Sequence, residues 1–334
     1  DRSVSRGLGD VYKRQDLNEY TRLKKLRSKK QLKDESEIAK LDSLSIRENE
    51  IAENIRMHIQ SLPTKKEKKE FVDNLYSKSG KGTNFVKKTY LANYGTHISE
   101  DDFHLDIRFF DGTDYQTSDI DLLVGGSPCQ AFSAVGAQFG MNDTRGTLFY
   151  EFARIVKETQ PKVFIYENVR GLTTHDNGRT WQIMRDVFEK DLNYHISEPQ
   201  VLNASDYGIP QSRRRVFVIG IRDDIKCNKF TYPEPIQLKY TMQDFLEDNC
   251  AFGHFTFDKS NGELIVEKIP GVVDKKFTLT PAVQKYVLAG GTANYKTSTE
   301  TDLPIARTLM KMMTQHHRAG VDNYITCLLY TSPS

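Results

Sequence analysis

Between residues 105 and 221 short apolar runs alternate with amphipathic stretches, and few folds accept that alternation. Residues 105–110, 120–124, 162–166, 194–202 and 216–221 read as strands, and the first of them carries Asp106. The spacing predicts helices over residues 84–94, with Phe85, Tyr90 and Leu91 inward, over 147–158, and over 181–189. Strands interleaved with helices predict an α/β fold, with a parallel or mostly parallel sheet and helices on both faces. In such sheets ligands are handled by loops beyond the carboxyl ends of the strands. The run 120–124, broken only by Asp121, reads as a buried strand, and it ends in Gly125-Gly126-Ser127-Pro128-Cys129-Gln130. An apolar run ending in Gly-Gly predicts a tight loop, with Cys129 at its tip. Cys129 is either a nucleophile or a small packing residue on this stretch alone.

The chain of 334 residues is long enough for one large α/β domain, or for one such domain and a smaller one, without disulfides or structural metal. Its four cysteines, Cys129, Cys227, Cys250 and Cys327, are far apart and form no C-x-x-C pair. That spacing argues against structural zinc and for a reducing, cytosolic setting. His316-His317 lacks the further ligands of a metal site. No apolar run reaches the roughly 18 residues of a membrane span, and no signal-peptide pattern is present. A net charge of +2 permits a nucleic-acid partner without requiring one.

Residues 1–15 and 327–334 resemble translated sequencing-adapter read-through and read as non-native sequence flanking a fragment. Residues 16–75 are rich in Lys, Arg, Glu and Leu, hold no glycine and only Pro63, and predict two or three amphipathic helices. The charge run 65–70 (KKEKKE) reads as a solvated helix face rather than a DNA contact. Ser79-Gly80-Lys81-Gly82-Thr83 departs from the phosphate-loop pattern at both ends and reads as a linker. After Arg222 the alternation stops, and residues 223–310 read as an irregular region suited to substrate specificity.

Four motifs follow one another along the chain: Gly126-Ser127-Pro128-Cys129-Gln130, the segment 143–149 (DTRGTLF), Glu167-Asn168-Val169, and Gln211-Ser212-Arg213-Arg214-Arg215. Each has an ordinary reading by itself. Glu167 is a helix cap or surface turn, the arginines are phosphate contacts, and Gln211 is loop support. In this order and on these predicted loops, they resemble the central motifs of C5-cytosine DNA methyltransferases. The resemblance covers residues 84–222 and extends through Ala306-Arg307-Thr308-Leu309 and residues 317–324. It implies a Rossmann-like S-adenosylmethionine-dependent methyltransferase sheet with a smaller irregular target-recognition region. The catalytic core would be 84–222, the recognition region 223–326, and residues 16–83 a charged helical extension or insertion.

The resemblance also implies roles. Carbon 5 of cytosine is too electron-poor to attack a methyl sulfonium until a thiolate adds at carbon 6. Cys129 would be that thiolate, helped by the positive charge of Arg213 and Arg215. Glu167 would meet N3 and Arg215 O2, where charge develops. Gln130, Ser133, Arg145 and Gln211 would contact the substrate. Asp106, Ile107, Pro128 and Leu148 would contact S-adenosylmethionine. Residues 134–144 would close over a cytosine flipped out of the duplex.

The implied partners are double-stranded DNA and, for a modification enzyme, a cognate restriction endonuclease. The expected setting is a monomer in the cytoplasm, encoded by a bacterium or a phage. The family's glycine-rich F-x-G-x-G turn does not precede Asn84, and its R-x-L-T-P-R-E-type segment does not follow Tyr324. Two other readings stand beside this one. A tRNA cytosine-5 methyltransferase would carry a Cys-Phe-Thr signature, which the sequence lacks, and a non-catalytic DNA-binding remnant would bind no cofactor.

Overall fold

The computed structural model describes residues 22, 34–77, 85–115, 120–127, 148–226, 229–245, 251–258, 263–270, 279–288, 291–292, 295–296, 300–308 and 322–324. It falls into two compact units. The first holds residues 1–199 and 217–230, and the second residues 200–216 and 231–334.

The first unit opens with two helices, α1 (Glu35–Ser61) and α2 (Lys65–Ser77). Asp34 caps α1 by accepting from the backbone N–H of Ser36 at 2.8 Å and of Glu37 at 3.1 Å. The helix stops before Pro63, where the residue preceding a proline leaves the helical region. Thr64 then caps the start of α2, with its side chain paired to Glu67. The Glu67 N–H donates to Thr64 Oγ1 at 3.2 Å, and that hydroxyl donates to Glu67 Oε2 at 2.7 Å. The two helices share a small core of Ile55, Ile59, Val72 and Phe109. Lys68, in the middle of the charge run read as solvated, is instead buried, with its ammonium on Asp111 at 2.7 Å and Asp114 at 2.6 Å. Lys65, Lys66, Glu67 and Glu70 on the other faces are exposed. A third helix, α3 (Phe85–Tyr94), has Tyr90 and Leu91 half-buried.

The strand expected over 105–110 is not formed. Asp106 caps a single 3₁₀ turn at Ile107–Phe109 by accepting the Arg108 N–H at 2.9 Å. An aspartate that bonds its own backbone competes with a ladder. The carbonyls here are met by side chains instead: Arg154 donates to Ile107 O at 2.7 Å and Phe110 O at 3.0 Å, and Arg56 to Arg108 O at 3.2 Å.

Strand β1 (Leu122–Gly125) follows, then α4 (Leu148–Thr159), β2 (Val163–Val169), α5 (Arg179–Asp186) with a π turn at Val187–Asp191, and β3 (Tyr194–Ile196). After β4 (Gln200–Asn203), which belongs to the second unit, comes β5 (Arg214–Arg222). The strand order is β1-β2-β5-β3. The β1–β2 pair is parallel, and β3 runs antiparallel to β5. The Arg222 N–H reaches Lys162 O at 3.0 Å, so the carboxyl end of β5 lies at the amino end of β2. The sheet is therefore mixed, where the alternation alone predicted a mostly parallel one. β1 departs from the buried strand expected. Among the described residues it pairs only with β2, and Leu122 (52%) and Val124 (63%) are exposed on alternate positions.

α4 buries Phe149, Phe152, Ala153, Ile155 and Val156 on one stripe. β2 alternates, with Phe164, Tyr166 and Asn168 buried. Phe149, Phe152, Phe164, Tyr166, Phe188 and Tyr194 pack as one aromatic core. Ring centroids are 4.7 Å apart for Phe164–Phe188 and 5.0 Å for Phe152–Tyr166. Gly220 on β5 lies under this core, where an added Cβ would be 2.2 Å from the Phe164 ring.

In the second unit β4 pairs with β5 and leads into a 3₁₀ turn at Ala204–Tyr207. Gly208 ends that turn at φ +86°, the left-handed region a glycine enters without strain. Further on, β6 (Ala251–Asp258) and β7 (Glu263–Pro270) form an antiparallel hairpin. Helix α6 (Pro281–Leu288) and the short pair β8 (Gly291–Thr292) and β9 (Tyr295–Lys296) follow. No described helix is long and apolar enough to cross a membrane.

Candidate active site

The parallel register of β1 and β2 places Gly125 abreast of Tyr166, so the chain leaving β1 runs past Glu167 and Asn168 at the carboxyl end of β2. The approach is close enough to exclude side chains. A Cβ on Gly126 would lie 2.5 Å from the Glu167 carbonyl oxygen and 3.0 Å from Glu167 Oε2, and one on Gly125 would lie 2.8 Å from the Phe152 ring. The Gly-Gly pair, read as a turn signal, is thus required by close packing. Beyond it, Ser127 is buried and held twice. Asn168 Nδ2 donates to the Ser127 carbonyl at 3.0 Å, and Ser127 Oγ is 2.5 Å from the Tyr166 hydroxyl. Asn168 Nδ2 also donates to the Tyr166 hydroxyl at 3.0 Å, while Asn168 Oδ1 accepts the Val169 N–H at 2.8 Å. Burial pushes the Tyr166 phenol above its ordinary value, so it stays protonated. Sequence reading quoted Ser127 within a motif and Tyr166 within a strand but gave neither a role, and only the strand register joins them.

Glu167 is half-buried and adjoins the segment that leads to Cys129. Cys129 itself, Pro128, Gln130, Ser133, Arg145 and the 134–144 segment lie outside the described residues, as do Cys227, Cys250, Cys327 and His316-His317. Among the described residues no cluster of His, Cys, Asp and Glu has a metal-binding arrangement.

Gln211, Arg213 and Arg215 belong to the second unit. Gln211 bridges Ala306, where the Ser212 N–H donates to Ala306 O at 2.7 Å and the Ala306 N–H donates to Pro210 O at 2.8 Å. Thr308 Oγ1 donates to Ser212 O at 2.6 Å. Ala306 and Thr308, from the segment singled out by sequence, are therefore laid against the Gln-Ser-Arg run. Arg213 is exposed, and its N–H is fixed by Asn203 Oδ1 at 2.9 Å. Arg215 is half-buried with Nη1 on the Arg214 carbonyl at 2.8 Å.

Of the four residues matched to the cofactor, Ile107 is 39% exposed and Leu148 is half-buried at the start of α4, so both offer apolar surface. Asp106 does not offer a free acceptor. Its carboxylate takes Arg108 Nη2 at 2.9 Å, Nε at 3.2 Å and the Tyr76 hydroxyl from α2. Burial would raise this carboxyl, but the Arg108 guanidinium and the Tyr76 hydroxyl outweigh it and hold it below the ordinary range. Apolar contacts to a cofactor fit the residues present, and a hydrogen bond from a cofactor amine to Asp106 does not fit this arrangement.

A parallel strand pair that brings a glycine-lined loop and a carboxylate to its carboxyl end is the layout of an α/β enzyme. The chain belongs to the C-5 cytosine-specific DNA methylase family, whose sequence model matches residues 66–304. It is 40% identical over 166 residues to the type II methyltransferase M.HpaII of Haemophilus parainfluenzae, covering 50% of this chain and 45% of that protein. It is also 40% identical over 162 residues to the type II methyltransferase M.HhaI of Haemophilus parahaemolyticus, covering 48% and 49%. With M1.ScrFI of Lactococcus lactis subsp. cremoris it shares 44% identity over 165 residues, covering 49% and 40%. The chain spans about half the length of the curated relatives it matches. Members of this family use S-adenosylmethionine.

Proposed function

We propose that the protein is a DNA (cytosine-5-)-methyltransferase of the restriction-modification or phage DNA-modification kind, acting on a cytosine flipped out of double-stranded DNA. The observation that carries this reading is the Glu167 carboxylate beside Gly126, three residues ahead of Cys129, at the carboxyl end of β2. A thiolate and a carboxyl group held close together suit a ring attacked at C6 while N3 gains charge. Cys129 adds to C6, Glu167 holds the proton at N3, and Arg215 faces the charge at O2. Arg213 raises the local positive potential that favours the thiolate. Gln130, Ser133, Arg145 and Gln211 hold the flipped substrate base. S-adenosylmethionine supplies the methyl group when bound. Ile107, Leu148 and Pro128 provide apolar contact to it, and Asp106 joins them only if Tyr76 leaves its carboxylate. Residues 84–222 form the catalytic core and 223–326 the target-recognition region, with residues 16–83 as a charged helical extension. A cognate endonuclease, a monomeric state and a cytoplasmic location belong to the same reading.

The test is methyl transfer to duplex DNA and to tRNA by the chain and by Cys129→Ala. DNA-only incorporation that Cys129→Ala abolishes is expected. Retained turnover in the variant would overturn the nucleophile, and preference for tRNA would overturn the substrate. With 5-fluorocytosine DNA a covalent adduct should map to Cys129, and mapping to Cys227 or Cys250 would refute the mechanism.

A further inference from the structure

The buried polar cluster of Ser127, Tyr166 and Asn168 has a shape that packing does not explain. Tyr166 is fully buried and Asn168 nearly so, yet both carry their polar atoms to the same residue of the neighbouring strand's exit. The phenolic oxygen accepts from Asn168 Nδ2, so its own proton needs an acceptor. Donation to Ser127 Oγ is the assignment that leaves no buried phenolic proton unpaired. Ser127 is thereby pinned at its hydroxyl by Tyr166 and at its carbonyl by Asn168. These two residues flank Glu167 on β2, and neighbouring strand residues project to opposite faces. The same three-residue stretch therefore presents the carboxylate and fixes the backbone two residues ahead of Cys129.

We propose that Tyr166 is a positioning residue whose hydroxyl, acting through Ser127, holds the Gly126-Ser127 backbone, two residues ahead of Cys129, against Glu167. This deepens the proposed function and rests on it for the role of Cys129. A group held in place by two bonds from the strand that carries its partner loses rate, rather than affinity, when one bond is removed. Tyr166→Phe and Ser127→Ala remove the same hydrogen bond from its two ends. Each is expected to lower kcat on the order of tenfold with KM within about twofold, because small misplacements of reacting groups are costly. The double variant is expected to be no slower than the slower single variant, the signature of one shared interaction.

Tyr194→Phe is the control. It also removes a buried phenol, one that donates to Pro161 O at 2.6 Å at the opposite end of β2, and it should lower stability without changing kcat. In parallel, the rate of Cys129 alkylation by iodoacetamide is followed against pH by mass spectrometry. Tyr166→Phe and Ser127→Ala should both shift the Cys129 profile, while the rates at Cys227 and Cys250 stay fixed. If the unsubstituted chain transfers no methyl group, the proposed function fails by itself, and the alkylation profile alone decides the positioning role. Unchanged kcat in a folded, active Tyr166→Phe, or Cys129 profiles that coincide with the unsubstituted chain, would overturn the inference. Should Tyr166→Phe fail to fold, Ser127→Ala decides by the same readings.

Discussion

The aromatic core beneath the sheet and the seam where α1 and α2 meet residues 106–115 lie in one compact unit but are held by different forces. In the core every strand has ladder partners, so side chains are free to be apolar, and six rings fill the space. In the seam the 106–115 segment has no strand, and its backbone groups are met by charged side chains. Arg154 and Arg56 take carbonyls, and the Gly112 N–H donates to Glu158 Oε2 at 2.9 Å. Those side chains then pair with each other: Arg56 with Glu151 at 2.9 Å, Arg154 with Glu151 at 2.9 Å and with Glu158 at 2.7 Å. Where backbone pairing is missing, buried polar groups must be supplied from the sequence, and the packing becomes electrostatic.

The two regions should therefore fail differently. Phe188→Ala, at the centre of the rings, is expected to cost about 3–5 kcal/mol in a denaturant melt, with no dependence on pH between 4 and 8. A loss near 1 kcal/mol would show that the core relaxes into the space and that the contrast is weaker than its geometry. Lys68→Ala leaves Asp111 and Asp114 facing each other without their cation. It should cost about 3 kcal/mol, the low end for breaking a buried pair, and α2 should be cleaved faster in limited proteolysis.

The smallest effect separates the regions by acid. Burial raises the Asp111 carboxyl, but hydrogen bonds from Lys68 and Thr113 outweigh this and hold it low, as Arg108 and Tyr76 do for Asp106. A carboxyl lowered in the folded state contributes stability that is complete above its unfolded value, about 3.9, and is lost as pH falls through the folded value. Helicity of the seam should thus decline below about pH 4 before the near-ultraviolet signal of the rings. Asp111→Asn should flatten that decline, and coincident loss in both signals would erase the distinction.

The same contrast explains what sequence made legible. α4 and β2 fall within a few residues of their expected positions because their apolar periods are set by burial against the rings, whereas β1 is in place with Leu122 and Val124 exposed. Residues 105–110 also alternate, as Leu105, Ile107 and Phe109 against Asp106, Arg108 and Phe110, yet no strand forms. The partners that override the alternation come from helices roughly 50 residues before and after it, and no local pattern records them. Lys68 was hidden inside a run of charges for the same reason. At the site, Glu167 was legible as a residue type following a strand. Tyr166 was not, since an apolar run disguises its hydroxyl until the register with β1 is known.

Gly220 carries a consequence for variation. With no side chain there, the Phe164 ring lies directly against β5, and a Cβ would sit 2.2 Å from it. Positions 164 and 220 therefore cannot drift independently. A side chain at 220 is tolerated only after the ring at 164 has shrunk, and a smaller residue at 164 alone leaves a void over the glycine. Either first step is downhill in stability, so the pair forms a ratchet against gradual exchange, and homologues are expected to carry one combination or the other.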